Sequence, residues 1–189
     1  LDRSFDPGNK YSVPYMWGTT GLIYNTTMVE EPPTKWADMW DVAYTNNVLM
    51  FNNSRDAFGI AQFLLGIDVN TTSEQDWKKA YQKLKEQKPV VQSYVMDDVF
   101  NKMEGGEAAI AAYYAGDCIG MAENNPDLAF VYPKEGTNIF VDSICIPKGC
   151  QNKDAAELYI NFLLRGDIAL ANAECLCYAT PNRAVLDNE

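Results

Sequence analysis

The stretch NVLMFNNSRDAFGIAQFLLG, residues 47–66, decides the fold because it joins a predicted strand directly to a predicted helix. Its first five residues contain a short apolar run between polar neighbours, which predicts a buried strand. Apolar side chains then recur at helical spacing as far as Gly66, and glycine is the residue type at which helices commonly end. A buried strand that leads into a helix is the repeating unit of α/β proteins.

The same alternation continues along the rest of the chain. Further strands are predicted at residues 20–25, 90–95, 108–115, 128–133 and 138–147. Helices are predicted between them, including one that begins at Pro33 and Thr34 and continues through Ala43. The pattern therefore predicts an α/β fold with a largely parallel sheet flanked by helices, in which ligands bind at the carboxyl ends of the strands.

Composition narrows the class of protein. The 189 residues are 47% hydrophobic, which is enough for a core in one domain or slightly more than one. The net charge of −11 argues against a nucleic-acid partner, since phosphate binding needs clustered lysine and arginine, and it permits a cationic ligand without demanding one. The chain has no apolar run of about 18 residues, the length that crosses a membrane. Its polar first residues have no signal-peptide pattern.

Histidine is absent, which excludes Ser-His-Asp and Cys-His catalysis and histidine-bearing zinc sites. The five cysteines are Cys118, Cys145, Cys150, Cys175 and Cys177. Their spacings differ from the paired C-x2-C of a structural zinc site, so we expect neither a metal nor a cofactor. The apolar neighbours of Cys118, Cys145 and Cys175 favour buried free thiols, and one disulfide is the alternative.

Polar side chains follow two of the predicted strands. Asn53 and Asp56 have the three-residue spacing of a capping box, so they either cap the helix or present oxygen atoms at the end of a strand. Tyr113 and Tyr114 end the strand at 108–115, and strand alternation predicts one ring on each face of the sheet. Two interpretations stay open: both rings pack in the core, or one of them lies in a ligand cleft.

A ring and a carboxylate lie two residues apart in the strand NIFVDSICIP, residues 138–147. Phe140 and Asp142 therefore share one face, where they could hold an ammonium group together with its alkyl chain. The alternatives are an Asp142 paired with an internal lysine or arginine, or one that caps a nearby turn.

The segment VPYMWGTTGLIYN, residues 13–25, places Trp17 immediately before Gly18 at the start of an apolar run. Neither a core strand nor a surface loop explains both residues. We interpret the segment as a crossing between two lobes, with its aromatic rings facing the cleft between them.

The order of these segments resembles a known family. The stretches that carry the resemblance are FDPGNKYSVPYMWGTTGLIYN, TKWADMW, EGGEAAIAAYYAGD, VYPKEGTNIFVDSICIPKG, NKDAAELYINFLLR and YATPNRAV. Together they are similar to the spermidine- and putrescine-binding proteins of bacterial ABC importers. The resemblance implies a type II periplasmic-binding-protein fold that binds a polyamine outside the cytoplasmic membrane, with or without a lipid anchor, and delivers it to a membrane permease.

The resemblance also implies which residues contact the ligand. By motif position they are Trp17, Asn53, Asp56, Tyr114, Phe140 and Asp142. In the family, carboxylates bind the amino groups and aromatic rings line the methylene chain. This chain departs from that pattern in having an amide at position 53, and in having Tyr114 and Phe140 at two positions where the family has tryptophan.

The family is longer than this chain at both ends, so the resemblance predicts a C-terminal-lobe fragment. Residues 1–12 would end a first-lobe segment, residues 13–141 would form the second lobe, and residues 142–189 would return partly to the first lobe. The fragment would expose the surface that packs against the first lobe, which favours a homodimer or a domain swap.

Two other classes of function stay open on the sequence. The first is an α/β enzyme that uses Asp56, Asp142 and Glu107 as acid–base groups, although the chain lacks histidine and every common nucleophile motif. The second is a sensor that keeps the binding fold for another organic cation and signals to a receptor.

Overall fold

The structure is a computed structural model that describes residues 5–187. The chain divides into two compact units. We call residues 19–138 the central unit, and the described residues 5–18 together with 139–187 the terminal unit. The assignment of residues 1–12, 13–141 and 142–189 to two lobes stays a prediction.

A five-stranded path of sheet forms the middle of the central unit. Its strands are β1 (Val13–Asn25), β2 (Val48–Phe51), β3 (Val91–Val95), β4 (Ile110–Tyr114) and β5 (Leu128–Val131). Their order is β3-β2-β4-β1-β5, and β1 belongs to the central unit from Thr19 onward. The helices that follow the strands are α1 (Ser54–Leu64), α2 (Glu74–Gln87), α3 (Asp98–Glu104) and α4 (Ala115–Asn124).

Four of these five strands run in the same direction. β2 is parallel to both β3 and β4, whereas β1 is antiparallel to β4 and to β5. The prediction of an α/β fold with a largely parallel sheet is therefore confirmed. β1 is the exception because it precedes the strand–helix repeats and lies between β4 and β5, which the crossover helix α4 joins.

The stretch 47–66 folds as its pattern predicts. All four residues of β2 are buried on both faces, with exposures of 0–1%. The side chain of Asn53 caps α1, and Gly66 adopts a φ of +66° just after it, a conformation that favours glycine. The core of the unit extends from β2 to both neighbouring strands, and it includes Leu22, Ile23, Trp36, Met39, Ile110 and Met121.

The helix predicted to begin at Pro33 and Thr34 is wrong. Two short 3-10 turns occur instead, at Trp36–Trp40 and Val42–Tyr44. The Asp38 carboxylate accepts the backbone N–H of Thr34 at 2.8 Å, and the Asp41 carboxylate caps the second turn. Aspartates that bind nearby backbone N–H groups compete with a continuous helix, so the apolar spacing alone was misleading.

The terminal unit contains one strand and three helices. They are β6 (Ile139–Ile144), α5 (Lys153–Leu163), α6 (Gly166–Leu176) and α7 (Arg183–Leu186). Within the described part of these helices, Ile160 and Ala169 are the buried residues. Large apolar side chains are exposed along the same elements, namely Ile139, Leu158, Tyr159, Phe162, Leu170, Leu176 and Leu186.

The burial of the cysteines also differs between the two units. Cys118 in the central unit is buried, as predicted, whereas Cys145 and Cys175 in the terminal unit are exposed, so the prediction of burial is wrong for them. Their apolar neighbours lie on elements that bury few side chains. All five cysteines are free thiols, which excludes the predicted alternative of one disulfide in this structure. Across residues 5–187, no helix has the length and apolar character needed to cross a bilayer.

Candidate functional site

In the central unit, two predicted site residues meet at the carboxyl end of the sheet. Asp56 lies in the first turn of α1, directly after β2, and Tyr114 is the last residue of β4. β2 and β4 are parallel neighbours, so their carboxyl ends lie side by side. The Tyr114 hydroxyl donates a hydrogen bond of 2.8 Å to Oδ2 of Asp56.

Asn53 caps helix α1 and also contacts the Asp56–Tyr114 pair. Its Oδ1 accepts the backbone N–H of Arg55 at 3.0 Å. Its side chain also donates to the phenolic oxygen of Tyr114. The capping and ligand-site interpretations are thus compatible for Asn53, whereas the Asp56 side chain turns to Tyr114.

The local environment changes the acidity of both partners. Burial raises the pKa of Asp56 above its ordinary value, and the hydrogen bond from Tyr114 and the charge of Arg55 oppose this rise. Burial also raises the pKa of Tyr114, as do its hydrogen bond to Asp56 and the charge of that carboxylate. Tyr114 is therefore a neutral donor near pH 7 that holds a half-buried carboxylate in place.

The rings of the two adjacent tyrosines lie close together at the end of β4, and their placement on opposite faces of the sheet stays a prediction. Their ring centroids are 4.9 Å apart, and both rings contact Phe51, at 5.2 Å for Tyr113 and 5.1 Å for Tyr114. Tyr114 is the last residue of β4 and also the N-cap residue of α4, so its ring lies where the strand ends.

Sequence reasoning missed the acidic residues around Tyr113. Burial raises the pKa of Tyr113 to about 12, and the charges of Asp117, Asp97 and Asp56 add to the rise. Asp97 directly precedes α3, and Asp117 lies in the first turn of α4. The available signal was positional: each of these residues follows a predicted parallel strand at the same edge of the sheet.

A second group of predicted residues lies within the terminal unit. The rings of Phe140 and Tyr178 meet edge to face, with centroids 6.1 Å apart. A Cβ atom on Gly18 would lie 2.6 Å from Phe140 Cζ and 3.1 Å from Tyr178 Cε1. Gly18 therefore gives two rings room to approach the backbone, and Tyr178 is a second aromatic residue that the sequence did not suggest.

Trp17 is fixed by its backbone in the same unit. Its N–H donates to the carbonyl of Ala179 at 2.9 Å. Its side chain lines a cavity of about 800 Å³, together with Tyr15 and Tyr178. Most of the other lining residues are apolar, including Phe5, Ile139, Leu163, Leu164, Pro181 and Leu186.

Asp142 is exposed on β6, two residues beyond Phe140. Although its side chain reaches solvent, partial burial raises its pKa. It forms no ion pair with any residue from 5 to 187, which removes the predicted alternative of an internal lysine or arginine partner within that range. Asp142 is thus a carboxylate beside a ring with its charge uncompensated by the described part of the chain.

The arrangement offers carboxylates and aromatic rings, and it offers no metal centre among the described residues, where no group of three acidic or cysteine side chains could hold an ion. Carboxylates and aromatic rings are the groups with which proteins bind a cation that carries an apolar chain. Asn53, Asp56 and Tyr114 form one group in the central unit. Trp17, Phe140 and Asp142 lie in the terminal unit.

Comparison with known proteins gives a consistent result. The family model for bacterial extracellular solute-binding proteins matches residues 2–189. The spermidine/putrescine-binding periplasmic protein of Salmonella typhimurium is 37% identical over 185 residues, which cover 97% of this chain and 53% of that protein. The chain thus spans about half the length of the curated relatives that it matches.

Solved structures agree in fold. A spermidine/putrescine ABC transporter protein of Listeria monocytogenes matches with a TM-score of 0.92 at 36% identity, covering 99% of this chain and 60% of that one. The substrate-binding protein PotD of Streptococcus pneumoniae matches with a TM-score of 0.80 at 39% identity, covering 96% of this chain and 56% of that one. The predicted periplasmic-binding-protein fold is confirmed, and the chain belongs to the family of bacterial extracellular solute-binding proteins.

Proposed function

We propose that the chain is part of the solute-binding component of an ABC importer and that its ligand is a polyamine such as spermidine or putrescine. The observation that carries the proposal is the Asp56–Tyr114 pair, which sits beside Asn53 at the carboxyl ends of two parallel strands. The names of the similar proteins from Salmonella typhimurium and Listeria monocytogenes support the same ligand class.

Each residue of the central group has a role in this proposal. The Asp56 carboxylate pairs with a ligand ammonium group, because it keeps acceptor positions beyond the one that Tyr114 occupies. The Tyr114 ring packs against the methylene chain and adds a cation–π contribution of about 0.5–2 kcal/mol. Asn53 carries no charge, so this group attracts a cation less strongly than two carboxylates would.

Phe140 and Asp142 provide a second ring and carboxylate of the same chemistry in the terminal unit. Trp17 and Tyr178 are further aromatic residues of that unit. We propose that Asp142 binds an ammonium group, which explains a carboxylate that no lysine or arginine from residues 5–187 pairs with.

The proposed function breaks no bond, so the protein is not an enzyme. The ligand-loaded protein delivers its cargo to the membrane permease of the importer from the periplasm or the outer face of the membrane. A homodimer or a domain swap through the exposed side chains of Leu158, Tyr159 and Phe162 stays a prediction, which sedimentation velocity would test.

Titration calorimetry with putrescine and spermidine tests the ligand class, using the longest product that the gene encodes. Asp56→Asn and Asp142→Asn should each weaken binding by about 2–5 kcal/mol if the ion pairs are desolvated. Asp127→Asn is the matched control, since Asp127 is an exposed residue of the central unit. Binding of a neutral sugar or an anion, with no heat from either amine, would contradict the proposal.

A further inference from the structure

Both polar ends of the Asn53 side chain are bonded within the central unit. Its Oδ1 accepts the backbone N–H of Arg55 at 3.0 Å, which caps helix α1. Its amide nitrogen donates to the phenolic oxygen of Tyr114. The cap settles which end faces which partner, because only the oxygen of a side-chain amide can accept a hydrogen bond. The Asn53 amide is therefore held with its donor toward Tyr114.

The Tyr114 hydroxyl carries a single hydrogen atom, and its neighbours decide where that hydrogen points. The oxygen already accepts an N–H from Asn53, so the hydrogen cannot also point there. It points to Oδ2 of Asp56, at an oxygen–oxygen distance of 2.8 Å. Consecutive hydrogen bonds of this kind polarise and strengthen one another. A chain of three hydrogen bonds thus runs from the first turn of α1 to the Asp56 carboxylate.

Ring packing fixes the position of Tyr114 but not the direction of its hydroxyl hydrogen. The centroid of its ring lies 5.1 Å from that of Phe51 and 4.9 Å from that of Tyr113. Aromatic neighbours restrict the ring, whereas a hydroxyl hydrogen rotates to suit the available acceptor. The donor from Asn53 therefore settles a degree of freedom that packing leaves open.

We propose that Asn53 is a positioning residue: it acts on Asp56 through Tyr114 and does not contact the ligand. The inference rests on the proposed amine-binding function and deepens it. The Tyr114 hydroxyl holds Oδ2 of Asp56 and leaves Oδ1 for the ammonium group of an amine. Without the Asn53 donor, the hydroxyl is free to rotate away from Asp56, and the carboxylate loses its fixed orientation.

A double-mutant cycle tests this role by calorimetry with putrescine, on the longest product that the gene encodes. Asn53→Ser keeps a good helix cap, but it has no amide to donate to Tyr114. We expect it to lower the putrescine affinity about fivefold on its own, and less than about twofold when Tyr114→Phe has already removed the hydroxyl. Asn152→Ser is the matched control, because Asn152 caps α5 in the same way, and we expect it to leave the affinity unchanged.

The titration of the Asp56 carboxyl, followed by carbon-13 NMR, gives a second measurement that needs no ligand. The hydrogen bond from Tyr114 lowers the pKa of Asp56, and the charge of Arg55, which is the same in every variant, also lowers it. Asn53→Ser should therefore raise the pKa of Asp56 in the presence of the Tyr114 hydroxyl and leave it unchanged in the Tyr114→Phe background. A helix that merely lost capping strength would show the same shift in both backgrounds.

The outcomes separate this inference from the proposed function. Equal losses of putrescine affinity in both backgrounds would contradict the inference, because Asn53 would then contact the ligand itself. An affinity that Asn53→Ser changes in neither background would contradict it as well. If the unmodified protein binds neither putrescine nor spermidine, the proposed function fails, and the NMR titration alone decides whether Asn53 positions Asp56.

Discussion

Helices α1 and α5 have the same length of eleven residues and similar amphipathic sequences, SRDAFGIAQFL and KDAAELYINFL. α1 packs in the central unit and buries four residues, whereas α5 in the terminal unit buries only Ile160 among its described residues. Leu158 and Tyr159 of α5 are 71% and 62% exposed. An amphipathic pattern thus predicts a helix with an apolar face, but the elements around that face decide whether it is buried.

The difference in burial between the two units should have its largest effect when a leucine side chain is truncated to alanine. Leu49→Ala removes a fully buried side chain from β2, and we expect a loss of about 3 kcal/mol in the free energy of unfolding. Leu158→Ala on α5 is the matched change in the terminal unit, and we expect less than about 0.5 kcal/mol. Urea denaturation of both variants measures the two losses. Equal losses would mean that α5 is covered in solution.

Gly18→Ala extends the comparison because it tests a tight contact within the terminal unit. The added Cβ would meet the rings of Phe140 and Tyr178, and we expect a destabilisation of about 1–3 kcal/mol. Gly59→Ala is the control in the central unit, where a Cβ within α1 has no atom within 4 Å. We expect that variant to be more stable by up to about 1 kcal/mol. Thermal unfolding that ranks the two variants in the opposite order would contradict the packing described for Gly18.

The smallest expected effect concerns Asp56 in the central unit and its dependence on pH. Because the folded-state pKa of Asp56 is raised above 3.8, protonation favours the folded state, and this contribution is lost as pH rises through the raised value. Asp56→Asn should therefore gain stability relative to the unmodified protein as pH rises above 3.8. Denaturation at several pH values measures the difference, and a constant difference would show that Asp56 is not desolvated.

Local patterns predicted most of the fold. The strand and helix of residues 47–66 were predictable because burial, helical spacing, a cap and a terminal glycine all agree. Residues 33–44 were not, because the capping interactions of Asp38 and Asp41 do not appear in an apolar pattern. The exposure of Cys145 and Cys175 was not predictable either, because it depends on which elements pack around the strand and helices of the terminal unit.

The site was predictable in part. Asn53, Asp56 and Tyr114 follow neighbouring parallel strands, and strand order alone brings them together. Tyr178 was missed because it lies in a segment without a regular pattern. Its contact with Phe140 joins two positions almost forty residues apart, which only the fold brings together. The acidic residues around Tyr113 were missed because Asp97 and Asp117 are far apart in the sequence and come to one edge of the sheet only through the strand order β3-β2-β4.

The amide at position 53 has a consequence for the hydrogen bonds within the central group. A carboxylate there could accept hydrogen bonds but could not donate to the oxygen of Tyr114, as the Asn53 amide does, and it would repel the negative charge of Asp56. With asparagine, the amide donates to the Tyr114 oxygen while the Tyr114 hydroxyl donates to Asp56, so the three side chains hold one another in place. The amide therefore weakens the long-range electrostatic attraction of this group for cations, but it preorganises the Asp56–Tyr114 pair.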